Sequence, residues 1–501
     1  MAQFTTTTIR ALSLGNVSIT GINTTPELTQ FRGLKFASIK ERYDYPTRID
    51  NYDLDIDATE YGPIPPQPIV PLNGVIPADQ LPPPQPKQDE FECLNLNILR
   101  PTSVRKPLPV LLWIFPGGNI NGSASSKVFD ATALVERSIK QDQPVIFVNI
   151  SYRLSLFGFL YVNGRANHAM YDQLAGIEWV KKHIADFGGD PENITLIGES
   201  AGSLATHYHS ISQTSEGLFR RIACLSTVIE SRSPLPLNDA KALVEKAKNI
   251  LGVTTDEELK TVPAEELIKA VPLIGGMYGP VNDGGWLGEG PFIDRLPLAQ
   301  VESVAVGNCR REVFSFAPRI RLTSNDKLYE KISTVPEVGS SLVKLYDIEP
   351  TDSESNFEHS LDLYDDLSYG QPVHHLVASL RKAGIPTYHY LFDQPNPFNE
   401  SLDSHHGVDV LYFFNWFKFD SKYDDFVDKY QSGWIRYANG LPPWDFLSDT
   451  SVQNVVFSNN DVHVRQEGEY EARRNVKLFE KLDGLRGKYD AYNITKRFLS
   501  S

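Results

Sequence analysis

Apolar positions along the chain follow two rhythms. Short, nearly continuous apolar runs recur, among them Pro109-Val-Leu-Leu-Trp-Ile-Phe115, Pro144-Val-Ile-Phe-Val-Asn-Ile150 and Ile194-Thr-Leu-Ile197. Runs of this length, rich in β-branched residues, predict strands covered on both faces of a sheet. Further strands are expected at 93–98, 221–226, 301–306, 386–392 and 455–457. Between them the rhythm lengthens. Leu174, Ile177, Val180, Ile184 and Phe187 share one helical face, with Asp172 as the expected cap and Gly188-Gly189-Asp190-Pro191 as the stop. Strands alternating with helices predict an α/β protein with a large, mainly parallel central sheet flanked by helices. Residues 1 to about 60 differ, because apolar runs at 9–12, 17–22 and 34–36 separated by polar turns predict an N-terminal antiparallel ribbon. Between 231 and 300 the strand rhythm gives way to helical insertions, a candidate lid or pocket wall. The proline-rich stretches 61–68 and 81–86 read as ordered surface loops. No repeat or long linker interrupts the pattern, so residues 1–501 read as one domain.

Composition narrows the classes of partner. A formal net charge of −15 with no Lys/Arg cluster argues against a nucleic-acid surface. The first ten residues lack the basic region and apolar core of a secretory signal, and no apolar run is long enough to span a bilayer, so no membrane anchor is expected. Cysteine is confined to Cys93, Cys224 and Cys309, an odd, low number without metal-ligand spacing. That usage fits a reducing, cytoplasmic setting. Nothing in the sequence speaks to oligomeric state.

One stretch carries chemistry. Gly198-Glu-Ser-Ala-Gly202 follows the apolar run 194–197 and precedes a segment in which Leu204, Tyr208 and Ile211 recur at helical spacing. A G-x-S-x-G pentapeptide between a strand and a helix places its serine on a strained turn, with the hydroxyl lifted clear of the sheet. A serine hydroxyl is a poor nucleophile until a base takes its proton and a third group orients that base. Eleven histidines are available, so local context has to choose among them.

The chain resembles the type-B carboxylesterase and cholinesterase family of α/β-hydrolases over nearly its whole length. The resemblance rests on the strand–glycine segment 112–123, the block Asn149-Ile-Ser-Tyr-Arg-Leu-Ser-Leu-Phe-Gly-Phe-Leu160, and the block from Asp172-Gln173 to Pro191 that runs into the serine. Glu92-Cys-Leu-Asn-Leu-Asn97 and Pro280-Val-Asn-Asp-Gly284 match shorter family motifs. The resemblance implies Ser200 as nucleophile. It implies Glu312 as the acid, from Gly307-Asn-Cys-Arg-Arg-Glu-Val313, where Arg310 and Arg311 offer a plain ion pair as the competing reading. It implies His406 as the base, from His406-Gly-Val-Asp409, in preference to His405, which lacks the following glycine. By the same resemblance the N–H groups of Gly117, Gly118 and Ala201 form an oxyanion hole, while Glu199 and Ser226 support the site.

Two departures from the family stand out. Phe115-Pro-Gly-Gly-Asn119 replaces its run of three glycines, and Pro116 has no N–H to donate. The hole is expected to survive this change, with an altered pocket at Asn119. Pro65 stands in Gly62-Pro-Ile-Pro-Pro-Gln67 where secreted relatives carry the cysteine that bridges to the equivalent of Cys93, so that bridge cannot form. The function implied is a serine carboxylic-ester hydrolase that works through an acyl-enzyme on a small-molecule ester and needs no cofactor or metal. The rivals are an acyltransferase, thioesterase or lactone-forming enzyme with the same triad, and a non-catalytic interaction protein. Tyr278, Trp286, Phe414 and Trp416 are candidate pocket aromatics, a class that is as often core.

Overall fold

The apolar runs lie where a sheet buried on both faces needs them. The computed structural model describes residues 5–70, 75–275, 278–288, 301–351, 353–444, 452–465, 468–485 and 487–499. Thirteen strands among these join one sheet. In chain order they are β1 (Thr6–Ala11), β2 (Val17–Thr25), β3 (Leu28–Lys35), β4 (Ile56–Ala58), β5 (Asn95–Pro101), β6 (Leu108–Ile114) and β7 (Ile146–Ile150). Then follow β8 (Gly189–Glu199), β9 (Arg221–Leu225), β10 (Ser303–Cys309), β11 (Thr387–Phe392), β12 (Val452–Ser458) and β13 (Asp461–Val464). Their spatial order is β1-β2-β3-β5-β7-β6-β8-β9-β10-β11-β12-β13, with β4 alongside β2.

From β7 to β12 every neighbouring pair is parallel. The N-terminal ribbon β1–β2–β3 is antiparallel and reaches this body through β5. The chain leaves β6 for β7 on one side and returns to β8 on the other. This reversal is a topological switch point, where a crevice opens beyond the carboxyl ends of the strands. In register, Gly198 of β8 faces Ile114 of β6, so the glycine loop and the serine turn emerge side by side.

Core burial explains the strand composition. Leu111, Leu112, Trp113, Ile194, Leu196 and Ile197 are all fully buried. A second apolar cluster, including Val313, Leu361, Leu367, Leu482, Ile494 and Phe498, packs the helices after β10 against the C-terminal helix. In the 231–300 region the described residues form helices Leu237–Leu251, Asp256–Thr261 and Ala264–Ile274. Residues 276–277 and 289–300 of that expected insertion lie outside the described residues.

One helix differs from expectation. It spans His168–His183, preceded by a left-handed Asn167 whose side chain makes no capping hydrogen bond, with a 3-10 turn Ile184–Phe187 beyond it. Asp172 is therefore not a cap. It lies inside the helix and takes three hydrogen bonds from Arg153, at 3.1 Å from the backbone N–H and 2.7 Å from both Nε and Nη2. Asp is a poor helix-interior residue by propensity, and this buried charge pair overrides that preference.

The first proline-rich stretch is ordered, and its ordering serves the glycine loop. The Gln67 amide donates to the Gly122 carbonyl at 2.9 Å and accepts from the Gly122 N–H at 2.7 Å. Gln88 pairs with both backbone groups of Gln67. Cys93, Cys224 and Cys309 are buried free thiols.

Candidate active site

Ser200 follows the last residue of β8 and precedes the helix Ala201–Ile211. Its backbone sits at φ 52°, ψ −122°, a conformation disfavoured for a residue with a side chain. Surrounding contacts over-determine it. The Ser200 N–H donates to the Leu225 carbonyl at 3.0 Å, and its carbonyl accepts from Thr227 Oγ1 and the Leu204 N–H. The flanking glycines are dictated by space: a Cβ on Gly198 would lie 2.3 Å from the Gly202 backbone, and one on Gly202 2.0 Å from the Ile114 carbonyl oxygen.

The predicted partners converge on this serine from separate segments. Ser200 Oγ and His406 Nε2 are 2.7 Å apart, and His406 Nδ1 lies 2.6 Å from Glu312 Oε2. Glu312 is fully buried at the start of a 3-10 turn after β10, and its Oε1 accepts from the Cys309 N–H at 2.7 Å. The competing ion-pair reading fails, because Arg311 turns away to Glu358 and Asp362. His405 is structural: Nδ1 meets the His406 carbonyl, and Nε2 accepts from Asn396. Among the other histidines, His207 and His209 are buried in the helix after Ser200 and read as packing residues.

Three carboxyl groups influence one imidazole. Glu199 Oε1 is 3.3 Å from His406 Nε2, and Asp409 is buried one turn beyond. Burial alone depresses the His406 pKa, but Glu199 and Glu312 outweigh it and hold the group up at about 9. Burial, reinforced by Asp409 and Glu312, pushes Glu199 up to about 8. Asp409 rises to about 7, again through burial and then Glu312. Asp409 makes no ion pair with His406 among the described residues, so it does not compete with Glu312 as the orienting acid.

The glycine loop faces the serine turn. Gly117 has φ 117°, and a Cβ there would fall 1.9 Å from the Asn121 carbonyl oxygen, so only glycine closes this turn. Among the described residues, the N–H groups of Gly117, Gly118 and Ala201 donate to no protein acceptor. Asn119 anchors the far end of this loop. It is 4 % exposed and left-handed at φ 61°, and it donates from Nδ2 to the Tyr278 carbonyl at 2.9 Å. It therefore ties the loop to the insertion. Asparagine takes this conformation more readily than most residues, which suits it to the role.

Ser226 is fully buried at φ 77°, with its N–H on the Gly307 carbonyl at 2.8 Å. Its hydroxyl has no partner among the described residues. Of the candidate aromatics, Phe414 packs edge-on to Trp113 in the core, and Trp286 is buried against His209. Two rings that sequence reasoning missed do reach the site: Phe316 and Tyr369 lie 5.7 and 5.2 Å from the His406 ring, centroid to centroid. Phe316 was findable one helical turn after Glu312, whereas nothing local signals Tyr369. A groove of about 510 Å³ lies between the helices Leu237–Leu251 and Ala264–Ile274, with none of these groups in its lining.

Comparison with known proteins adds independent findings. The family model for carboxylesterases matches residues 7–439. The chain is 33 % identical over 449 residues to Lipase 3 of Yarrowia lipolytica, covering 86 % of this chain and 88 % of that protein. It is 28 % identical over 455 residues to the inactive carboxylesterase-like protein VdtD of Byssochlamys spectabilis, covering 79 % and 77 %. Among solved structures, the Geobacillus stearothermophilus carboxylesterase EST55 superposes with a TM-score of 0.75 at 24 % identity, over 94 % of this chain and 100 % of that one. That last likeness bears on fold alone.

Proposed function

The chain belongs to the carboxylesterase family, with an α/β-hydrolase fold and the activity of a serine carboxylic-ester hydrolase, and from this premise we propose that Ser200, His406 and Glu312 are its nucleophile, base and acid. The observation that carries the assignment is the unbroken line from Ser200 Oγ through both imidazole nitrogens to Glu312. His406 Nε2 takes the hydroxyl proton as Ser200 attacks the ester carbonyl. The N–H groups of Gly117, Gly118 and Ala201 receive the oxyanion. The same nitrogen then returns its proton to the departing alcohol, leaving an acyl-enzyme. Water, deprotonated by His406, releases the acid and restores the serine. Glu312 holds Nδ1–H and with it the productive tautomer. Glu199 stabilises the imidazolium from the Nε2 side, and Ser226 supports the turn beside it.

The helices at 231–300 act as the pocket wall in this reading, joined to the oxyanion loop through Asn119. A reducing, cytoplasmic setting belongs to the same proposal and is supported by the three unbridged thiols and by Pro65. The test is labelling by a fluorophosphonate together with turnover of a p-nitrophenyl ester. Wild type should be labelled once, at Ser200, and Ser200→Ala should lose both labelling and turnover while keeping its fold. Turnover retained in Ser200→Ala would remove the assignment. One relative is termed inactive, which makes labelling the measurement to run first.

A further inference from the structure

Between Glu354 and Lys382 the chain is helical throughout but not uniformly so. An α-helix Glu354–Asp365 passes into a π turn Asp366–Gly370 and then into an α-helix Gln371–Lys382. The Gln371 N–H reaches back five residues to the Asp366 carbonyl. A π turn accommodates one extra residue, so every side chain beyond it is rotated relative to a plain α-helix. Tyr369 lies within this turn, where the backbone departs from plain α-helical register. Its ring lies 5.2 Å from the His406 ring at 49° to it, and Phe316 lies against the same imidazole at 5.7 Å and 42°.

The preceding turn is anchored at both ends of this arrangement. Asp365 Oδ1 accepts the N–H of Val313, the residue after Glu312, at 3.0 Å. Asp366 Oδ2 accepts from the Tyr346 hydroxyl at 2.7 Å. Tyr369 itself is 6 % exposed, and its hydroxyl bonds to no described residue, so its contribution to the site comes through the ring.

We infer that Tyr369, brought onto His406 by the π turn, is a positioning residue that fixes the imidazole plane between Ser200 and Glu312. The inference rests on the triad assignment above. An imidazole free to rotate about its side-chain bonds keeps its Glu312 contact only part of the time, and Nε2 then leaves the line to Ser200. Phe316 and Tyr369 oppose that rotation sterically, at no cost in competing hydrogen bonds. General-base catalysis depends on this alignment more than substrate binding does, so loss of the ring should fall on kcat.

The test compares Tyr369→Ala, Tyr369→Leu and Tyr369→Phe in the full chain. For each, kcat and KM are measured on a soluble p-nitrophenyl ester, along with the rate of fluorophosphonate labelling. Tyr369→Ala should lower kcat and labelling rate together by about 10- to 100-fold, with KM within about twofold. Tyr369→Phe should restore both to within about threefold of wild type. Tyr369→Leu, which keeps bulk without a flat face, should fall between them and stands in if the alanine variant does not fold. The inference is overturned if Tyr369→Ala and Tyr369→Leu keep wild-type kcat, if the loss lies wholly in KM, or if Tyr369→Phe is as impaired as Tyr369→Ala. Ser200→Ala, run in parallel, separates this failure from failure of the triad assignment, since an active Ser200→Ala enzyme overturns the latter directly.

Discussion

Replacing Glu199 by glutamine tests how the site's charges are shared. The carboxylate lies 3.3 Å from His406 Nε2. For two full charges at that distance and an effective dielectric constant of about 20, Coulomb's law gives about 5 kcal/mol, or about 3.7 pH units on the histidine. That figure is a ceiling. Glu199 is itself pushed up to about 8 by burial, so near neutrality it largely keeps its own proton and offers His406 less than a full charge. His406, held at about 9, is protonated over the same range, and Glu199 becomes its full counter-ion only as pH rises past the carboxyl's own pKa. Attack on an ester needs the neutral imidazole, so the raised histidine pKa suppresses activity as pH falls. With glutamine at 199 the remaining influences are burial, which lowers the histidine pKa, and Glu312 and Asp409, which raise it. The acid limb of kcat/KM should therefore move to lower pH, by about one to two pH units, less than the ceiling because Glu199 is only partly ionised where the limb falls. The plateau kcat should fall about tenfold, because the imidazolium formed during attack loses a counter-ion. The assay is kcat/KM for a soluble p-nitrophenyl ester from pH 5 to 10, normalised by phosphonate titration of active sites. A limb unmoved within about 0.3 pH unit, or moved to higher pH, would refute the reasoning and mean that Glu199 carries no charge when the histidine does.

Substitutions at three further positions probe the scaffold. Asn119→Ala combines a left-handed backbone at φ 61° with loss of the bond to Tyr278, and should cost about 2 kcal/mol in urea unfolding; Asn119→Gly removes only the bond and should cost less, so equal losses would contradict the backbone part of the argument. Gly202→Ala drives a Cβ to 2.0 Å from the Ile114 carbonyl oxygen and should abolish phosphonate labelling or soluble yield, and normal labelling would show that the elbow has more room than its contacts indicate. Asp172→Ala leaves Arg153 buried and uncompensated and should destabilise by about 3–5 kcal/mol in denaturant titration, whereas a loss below about 1 kcal/mol would mean that water reaches the pair.

Much of the frame was legible because sheet burial leaves a local mark. Strands covered on both faces are apolar at nearly every position, and the runs at 109–115, 144–150 and 194–197 meet that condition apart from Asn149 and Thr195. The serine turn was legible for a similar reason: Gly198 and Gly202 are imposed by contacts with neighbouring backbone, and the motif records them. Glu312 and His406 emerged from likeness to a family, and the ion pairs of Arg311 removed the one competing local reading of Glu312.

What remained hidden depends on partners far away along the chain. Asp172 looked like a helix cap because nothing near it reveals Arg153 lying against it. Asn119 gave no sign that its side chain is bound to a carbonyl 159 positions later. Gln67 showed no link to the glycine loop that it clamps through Gly122. Tyr369 reaches His406 from within a π turn, and an extra residue in a helix leaves no periodic signature. The sequence by itself determined the nucleophile turn, since the motif records both glycines, Gly198 against the nearby Gly202 and Gly202 against the distant Ile114 carbonyl. Tertiary structure alone decided the protonation balance among Glu199, His406 and Asp409, because burial and charge distance exist only once β8, β10 and the segment after β11 are brought together.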